Sequence, residues 1–449
     1  MFKGIPTISY LIAWMGSFYI FFLTINGSIK PIPSDLKFGD QLMRPLLLNQ
    51  IIFAGYMCCT SIFYFSDVLG YVYFVAPTSN YSVDLNQLQL VAECQRYYCL
   101  GHAAFVTGIL IFMKYPVEHE FKVEQRDLAN LLLTIALASL PLSLLFRALP
   151  GLSQFYIQLS SLSFIAGTLA LAFAIPMKKP GNTIICSLLY SSNVSAALLS
   201  GFKEPIIISV LVLGVFLYPT YKKAVLVIFI PTMLALFMLL PTYNRIFREK
   251  AWSGEESSED ASQLALDAVT TKALSSEEDD SDWGFLTGRL SEIGMFTQFV
   301  ASTPEKIDFY GFTLAEQSIT AIIPRIFWPE KLSTEELIME RVYKAGVVNR
   351  QSIVSAKPQF IVDGYLSGGA IGVLLSLLIY GAAAQLISVK AEKLFGGYLL
   401  GTALIYSGLF QVLWRGISFE FVTNTVFWSY ISMVIIHKVF RSLGILKNI

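Results

Sequence analysis

The chain has 449 residues, of which 55% are hydrophobic and only 14% are charged, and its mean hydropathy is +0.60. A water-soluble domain usually carries roughly 25% charged residues, so this composition excludes an ordinary soluble protein. The formal net charge is zero, which provides no overall basic field for binding nucleic acid. We therefore expect an all-α bundle of helices that cross a lipid bilayer.

Apolar runs long enough to cross a membrane recur along the whole chain. A membrane helix needs about 20 mostly apolar residues to cross roughly 30 Å of hydrocarbon. This predicts about eleven spans, eight within residues 1–243 and three within residues 363–449. The predicted spans lie near residues 7–26, 47–66, 97–113, 128–149, 153–176, 183–200, 205–221, 223–243, 365–389, 394–413 and 418–437.

The lysines and arginines of the short connecting segments indicate the orientation. With the N-terminus outside, the inner segments hold fifteen of these cations and the outer segments hold five. Cytoplasmic loops carry an excess of Lys and Arg. We therefore expect an outer N-terminus, a cytoplasmic C-terminus and an odd number of spans.

The long segment formed by residues 244–362 is then a large extracytoplasmic loop. Its residues 253–283 contain ten acidic residues against the single Lys272, which is typical of a solvated, mobile stretch; cation binding is the alternative. Residues 284–362 are expected to be partly helical. The apolar spacing in residues 285–300 and 313–323 suits short helices that lie on the membrane or cap the bundle.

The predicted outer ends of the spans carry isolated cations. An ionisable residue near hydrocarbon is costly and usually faces a cavity or a partner, so these cations are candidates for one outward-facing pocket. Lys203 lies in a turn just before Pro205, and Pro205 suits the first position of the next helix, whose free N–H groups would point at an anion. A lysine that extends to water is the alternative. The cations concerned are Arg147, Lys203, Arg245, Arg248 and Arg415.

No metal site is predicted. The five cysteines form no C-x-x-C pair and lie mostly in apolar runs, so we interpret them as small hydrophobic residues. No histidine-rich pattern occurs among the three histidines of the chain. Any catalysis is therefore expected to use the charges of the protein itself.

The most distinctive motif lies in the outer segment, where Pro324-Arg325-Ile326-Phe327-Trp328-Pro329-Glu330-Lys331 forms a rigid element. Each proline fixes φ and removes a backbone donor, so Arg325 is expected on a stiff support. The adjacent aromatic pair suits the bilayer interface or stacking on a sugar.

This motif, with Gly311-x-Thr313 before it and Asp363-Gly364-Tyr365, Gly369 and Gly372 after it, resembles the Wzy-type polymerases of bacterial surface polysaccharides. These polymerases belong with the O-antigen ligases to a superfamily of membrane glycosyltransferases, so the resemblance implies a GT-C-like fold. In outline it covers most of the chain. Relatives often have arginine where this chain has Lys203, a change that replaces a bidentate phosphate contact by a point charge.

The resemblance implies an enzyme on the outer face of the bacterial inner (cytoplasmic) membrane. It would transfer a glycan from an undecaprenyl-pyrophosphate-linked donor to a lipid-linked repeat-unit acceptor, with inversion and without a metal or cofactor. The partners implied are these lipid-linked oligosaccharides, membrane lipid, a chain-length regulator and a flippase. An O-antigen-ligase-like transfer to another acceptor, a transporter or flippase of lipid-linked oligosaccharide, and a structural membrane protein are the alternatives.

Fixed cations would stabilise the negative charge that develops on the pyrophosphate leaving group. We predict Arg289, Arg325 and Asp363 as catalytic residues and Lys203, Arg245, Arg248 and Arg415 as the pyrophosphate-binding set. Candidates for the general base are Asp363, Glu316 and His102. The structural alternatives are ion pairs of Arg289 with Glu292, of Arg325 with Glu330 and of Arg415 with Glu420.

Overall fold

The fold is all-α, as the composition predicts. The computed structural model describes residues 4–76, 81–123, 128–149, 154–201, 204–252, 256–274, 280–290, 292–324, 327–351 and 356–449. It is 76% helical. Within the described residues, strands β1 (Phe121–Val123) and β2 (Leu446–Asn448) pair antiparallel.

The helices are numbered in chain order. The first ten are α1 (Pro6–Ile25), α2 (Pro45–Cys59), α3 (Ser61–Val68), α4 (Leu85–Phe112), α5 (Leu128–Ala148), α6 (Gln154–Ala174), α7 (Pro180–Leu198), α8 (Glu204–Trp252), α9 (Ser258–Leu274) and α10 (Asp280–Phe285). The others are α11 (Leu286–Leu290), α12 (Ile293–Ser302), α13 (Thr313–Ile322), α14 (Thr334–Lys344), α15 (Phe360–Leu394), α16 (Leu399–Tyr406), α17 (Ser407–Leu409), α18 (Val412–Arg415) and α19 (Phe419–Ser442).

Seven helical stretches among the described residues are long and apolar enough to cross a membrane, which is consistent with a membrane protein. They are Pro6–Ile25, Pro45–Val68, Leu128–Ala148, Phe155–Ala174, Pro205–Ala251, Phe360–Leu394 and Phe419–Ser442. The predicted spans near residues 97–113 and 183–200 lie within α4 and α7.

The chain divides into two compact units, each described here by itself. Unit 1 comprises Met1–Asp35, Met43–Val123 and Leu286–Ile449, and unit 2 comprises Leu36–Leu42 and Glu124–Phe285.

Helices α4 and α15 form the centre of unit 1. A Cβ atom on Gly108 would overlap the backbone of Leu378, and one on Gly381 would overlap the backbone of Phe105. Small residues at a helix crossing let two backbones approach closely, as is common between membrane helices.

Helix α15 reverses direction near its beginning. The backbone leaves helical geometry at Gly368 and Gly369, and Gly369 has φ 59° and ψ −136°, a conformation that favours glycine. The rings of Phe360 and Tyr380 lie 4.5 Å apart, whereas twenty residues of straight helix would separate them by about 30 Å. The helix is therefore a hairpin.

We call residues 360–367 the short arm, Gly368–Gly369 the glycine turn and residues 370–394 the long arm. The two arms touch where Gly364 faces Gly372 and Ser376, and a Cβ on either glycine would overlap the opposite arm. The sequence predicts a single span over residues 365–389. The structure adds a short arm that packs antiparallel to that span.

The opposite end of unit 1 gathers segments predicted as inner loops. Arg44 is buried and paired with Asp35 at 2.6 Å and with Glu392 at 3.2 Å, and its guanidinium lies 3.7 Å from the centre of the Tyr115 ring. Burial opposes the charge of Arg44, but the two carboxylates outweigh burial and raise its pKa. Nearby, strand β1 pairs with β2.

Unit 2 contains a second reversal. Tyr221 leaves helical geometry inside α8, and a Cβ on Gly214 would overlap the ring of Phe229, so α8 is also a hairpin. The break lies where the sequence separates the spans 205–221 and 223–243.

Helix α9 differs from the expectation of a mobile acidic stretch. Its Ala261 and Ala265 are fully buried with Tyr243 and Phe247 of α8, and Tyr243 Oη lies 2.9 Å from Ser262 Oγ. A charge count does not detect such a narrow stripe of small residues. The described residues of this acidic stretch therefore include a packed helix.

Candidate functional site

A buried group of three charged side chains lies in unit 1, and we call Arg341, Asp363 and Glu420 the Arg341 cluster. Arg341 donates from Nη1 to Glu420 Oε1 at 2.5 Å and from Nη2 to Glu420 Oε2 at 2.8 Å. The same Nη2 donates to Asp363 Oδ2 at 3.1 Å. Arg341 is 2% exposed and both carboxylates are 0% exposed, so the cluster is enclosed by protein.

Two helix starts place the carboxylates. Asp363 lies in the first turn of the short arm and Glu420 in the first turn of α19. Phe360 N donates to Gly416 O at 2.6 Å, and Phe419 N donates to Asp363 Oδ2 at 2.8 Å. Asp363 thus caps α19, where a negative charge is favoured by the free N–H groups and the helix dipole.

Helix α14 supplies the guanidinium. Ser333 and Glu336 form a capping box that fixes where this helix begins. Ile338 and Val342 are fully buried on the face that carries Arg341. The helix is therefore held by its apolar face, with Arg341 directed into the protein.

The charges of the cluster favour a structural role over anion binding. Burial lowers the pKa of Arg341, but Asp363 and Glu420 outweigh burial and raise it above its usual value. Two carboxylates against one guanidinium leave the ionised cluster with an excess negative charge, which repels a phosphate. Arg341 Nε and Asp363 Oδ1 are buried without a hydrogen-bond partner among the described residues.

The predicted outer segment docks on the hairpin of α15. Tyr365 Oη donates to Thr303 O at 2.7 Å, and Tyr310 N donates to Leu366 O at 2.8 Å. Helix α13 then packs against α19, where Trp428 Nε1 donates to Ile322 O at 3.0 Å. The two short stretches of apolar spacing predicted as helices therefore include a helix, α13, that packs on α19.

Lys331, the last residue of the motif, closes the C-terminal end of α13. Its Nζ donates to the carbonyls of Thr320, Ala321 and Ile323 at 3.2, 3.1 and 2.6 Å. A cation at this position is favoured by the free carbonyls of the helix end. Lys331 therefore fixes the turn that follows α13.

The predicted site residues of unit 1 have different surroundings. Asp363 belongs to the Arg341 cluster. Both oxygens of Glu420, the alternative partner considered for Arg415, are bonded to Arg341. Arg415 is exposed at the end of α18. Arg289 lies in α11, whose Leu290 O accepts from Thr60 Oγ1 at 3.2 Å, but its side chain lies outside the described part, as does all of Arg325.

The other predicted cations belong to unit 2. Arg248 donates from Nε and Nη2 to Gly201 O at 3.0 and 2.8 Å. Lys203 itself lies outside the described residues, and Arg245 is exposed.

The two alternative general bases differ in access. His102 is fully buried, and its Nε2 lies 3.0 Å from Gln50 Nε2. Glu316 is exposed in the first turn of α13. Of these two residues, Glu316 is the one that a bulky substrate can reach.

Arg341 was not predicted as a site residue. Its sequence signal is a lone arginine between Ile338 and Val342, on the apolar face of a helix that begins with a capping box. Such a residue requires a buried acidic partner. The partners Asp363 and Glu420 are 22 and 79 positions away, and sequence spacing does not reveal such a contact.

These features define an all-α protein with span-length apolar helices and a buried ion-pair cluster at one end of unit 1. No group of three or more His, Cys, Asp or Glu residues able to hold a metal occurs in the part that the structure describes. Residues 1–448 match a family described as a domain of unknown function, DUF8712, and the chain belongs to that family. No curated protein and no solved structure matches the chain.

Proposed function

We propose that this protein is a polysaccharide polymerase of the bacterial cytoplasmic membrane. It would transfer a glycan from a polyprenyl-pyrophosphate donor to a lipid-linked repeat-unit acceptor on the outer face. The observation that carries the proposal is the contact between separate parts of one motif. Tyr310, just before Gly311, donates its N–H to Leu366 O in the hairpin that contains Asp363 and Gly369. Lys331 bonds to the carbonyls at the end of the helix that begins at Thr313.

The proposed roles of the cations follow from their positive charge, and those of the two carboxylates follow from their surroundings. In unit 1, Arg289 and Arg325 would stabilise charge on the leaving pyrophosphate, and Arg415 would bind it. Asp363 is enclosed and bonded to Arg341, so we assign it a positioning role in place of the predicted catalytic one. Exposed Glu316 is then the preferred base for the acceptor hydroxyl.

Purified protein in nanodiscs, given a lipid-pyrophosphate oligosaccharide, should lengthen the glycan and release lipid pyrophosphate without added metal. Arg325→Ala should abolish this product. Arg350→Ala is the matched control, because Arg350 lies in the same loop, is exposed and pairs with exposed Glu340; it should retain activity.

Two other outcomes would favour the alternatives. Transfer of the glycan to a different lipid acceptor, without elongation, would identify a ligase. Movement of intact substrate across vesicle membranes would identify a flippase. Equal activity of the Arg325→Ala and Arg350→Ala variants would contradict the role assigned to the motif.

A further inference from the structure

The long arm of α15 provides a reference for depth in a bilayer. Residues 370–389 contain no charged side chain between the glycine turn and Lys390. Twenty such residues match the roughly 30 Å of hydrocarbon that a span must cross. The glycine turn therefore lies near one edge of the apolar layer.

Helix α13 begins beside this edge. Tyr310, three residues before α13, bonds through its N–H to Leu366, which lies two residues before the glycine turn. The ring of Phe309 lies 5.8 Å from the ring of Tyr365 in the short arm.

The other end of α13 lies deeper. Helix α19 begins at the depth of Asp363, because Phe419 N bonds to that carboxylate, and Asp363 lies five residues from the turn. Trp428 is nine residues further along α19 and bonds to Ile322 O. At about 1.5 Å per residue, α13 runs down the side of α19 and not across its end.

The surface of this segment is strongly apolar. Leu314, Ser318 and Ala321 are buried. In contrast, Phe312 is 84% exposed, Phe327 is 79% exposed, and Ile319 and Leu332 are also exposed. Apolar side chains this exposed at the depth of the spans suit lipid.

Two cations that follow α13, Lys331 and Arg341, have partners inside the protein, whereas Glu330 and Glu336 are exposed. The ammonium of Lys331 is bonded by three carbonyls, and Arg341 is paired with two carboxylates. Glu336 belongs to the capping box of α14, and Glu316 lies in the first turn of α13, nearest the edge. Internal pairing is what lowers the cost of placing charge within an apolar layer.

We propose that residues 311–324, 327 and 328 belong to a re-entrant membrane segment whose exposed apolar face contacts the acyl chains of the bilayer. The segment predicted as an extracytoplasmic loop thus enters the membrane beside α19. This inference concerns lipid contact alone and does not depend on glycan transfer.

Site-directed spin labelling tests the proposal directly. The five native cysteines are replaced by alanine, and Ile319→Cys and Phe327→Cys are labelled in full-length protein reconstituted into phosphatidylethanolamine and phosphatidylglycerol vesicles. Ile379→Cys, 64% exposed in the charge-free part of the long arm, is the lipid reference, and Arg350→Cys is the aqueous reference. Labels at positions 319 and 327 should collide with oxygen as at 379, and collide with a water-soluble nickel chelate several-fold less than at 350.

Collision with the nickel chelate equal to that at position 350 would overturn the proposal, because the face would then be in water. Protection from both reagents would also overturn it, because protein would then cover the face. If the cysteine-free chain does not fold, wild-type protein is placed in vesicles that contain a photoactivatable acyl-chain lipid. The residues that the lipid labels then show whether the face contacts acyl chains. Labelling of Phe312, Ile319 and Phe327 supports the inference, and absence of label at all three refutes it.

Discussion

At the scale of single residues, Arg341 determines whether two buried carboxylates are tolerated. We expect Arg341→Met to destabilise the protein strongly, because removing one partner of a buried ion pair costs about 3–5 kcal/mol. The thermal unfolding midpoint in detergent should fall clearly below that of the wild type. Partial recovery is expected when Asp363→Asn and Glu420→Gln are combined with Arg341→Met, since the uncompensated charges are then removed.

Arg350→Met is the matched control for this prediction. Arg350 also pairs bidentately with a carboxylate, but both partners are exposed, and a surface pair contributes only about 0–1 kcal/mol. Its unfolding midpoint should stay close to that of the wild type. Equal effects of the two substitutions would show that burial does not govern the Arg341 cluster.

Among individual residues, the sequence singled out Asp363 as a candidate catalytic residue and offered an ion pair of Glu420 with Arg415 as the structural alternative for Arg415. In the structure Glu420 pairs with Arg341, which is 79 positions away, whereas Arg415 is only five positions away. Local spacing favours the nearer cation. Only the fold, through the adjoining starts of the short arm and α19, brings Arg341 into reach.

At the scale of elements, the hairpin of α15 depends on two facing glycines. A Cβ at Gly372 would overlap Gly364 O, so Gly372→Ala should force the arms apart. Overpacking of this kind costs about 1–3 kcal/mol. We expect a lower thermal unfolding midpoint, measured in the same detergent as for Arg341→Met.

Gly55→Ala is the control, because Gly55 lies in the span-length stretch Pro45–Val68 with nothing within 4 Å of an added Cβ. It should leave the unfolding midpoint unchanged or raise it, since alanine favours helix. A Gly372→Ala protein as stable as Gly55→Ala would contradict the close approach of the two arms.

The two hairpins differ in how far sequence could predict them. The reversal in α8 falls at Tyr221-Lys222-Lys223, where two lysines interrupt a long apolar run, so charge alone indicates the break. The reversal in α15 falls at Ser367-Gly368-Gly369-Ala370, where no charged residue marks the break. Its glycines are visible in the sequence, but their pairing across the turn is a tertiary contact.

At the scale of the whole molecule, the distribution of cations and the fold of unit 1 point to the same sidedness. Lys393 pairs with Glu120 at 3.0 Å, and Arg44 meets Glu392. Strand β2, near the C-terminus, pairs with β1 beside them. Segments predicted as inner loops from charge alone therefore lie together, at the end of unit 1 away from the glycine turn.

This arrangement predicts a cytoplasmic C-terminus and an outer position for Arg350. Lys and Arg are retained on the cytoplasmic side during insertion, and the end of unit 1 that holds β2 carries Arg44, Lys390, Lys393 and Lys447. In a bacterial host, green fluorescent protein fused after Ile449 should fluoresce, whereas alkaline phosphatase at that position should be inactive. Phosphatase inserted after Arg350 should be active, because this enzyme folds only outside the cytoplasm. The reverse pattern at both positions would invert the orientation. Phosphatase activity at both would place the two positions on the same side and require an even number of crossings between them.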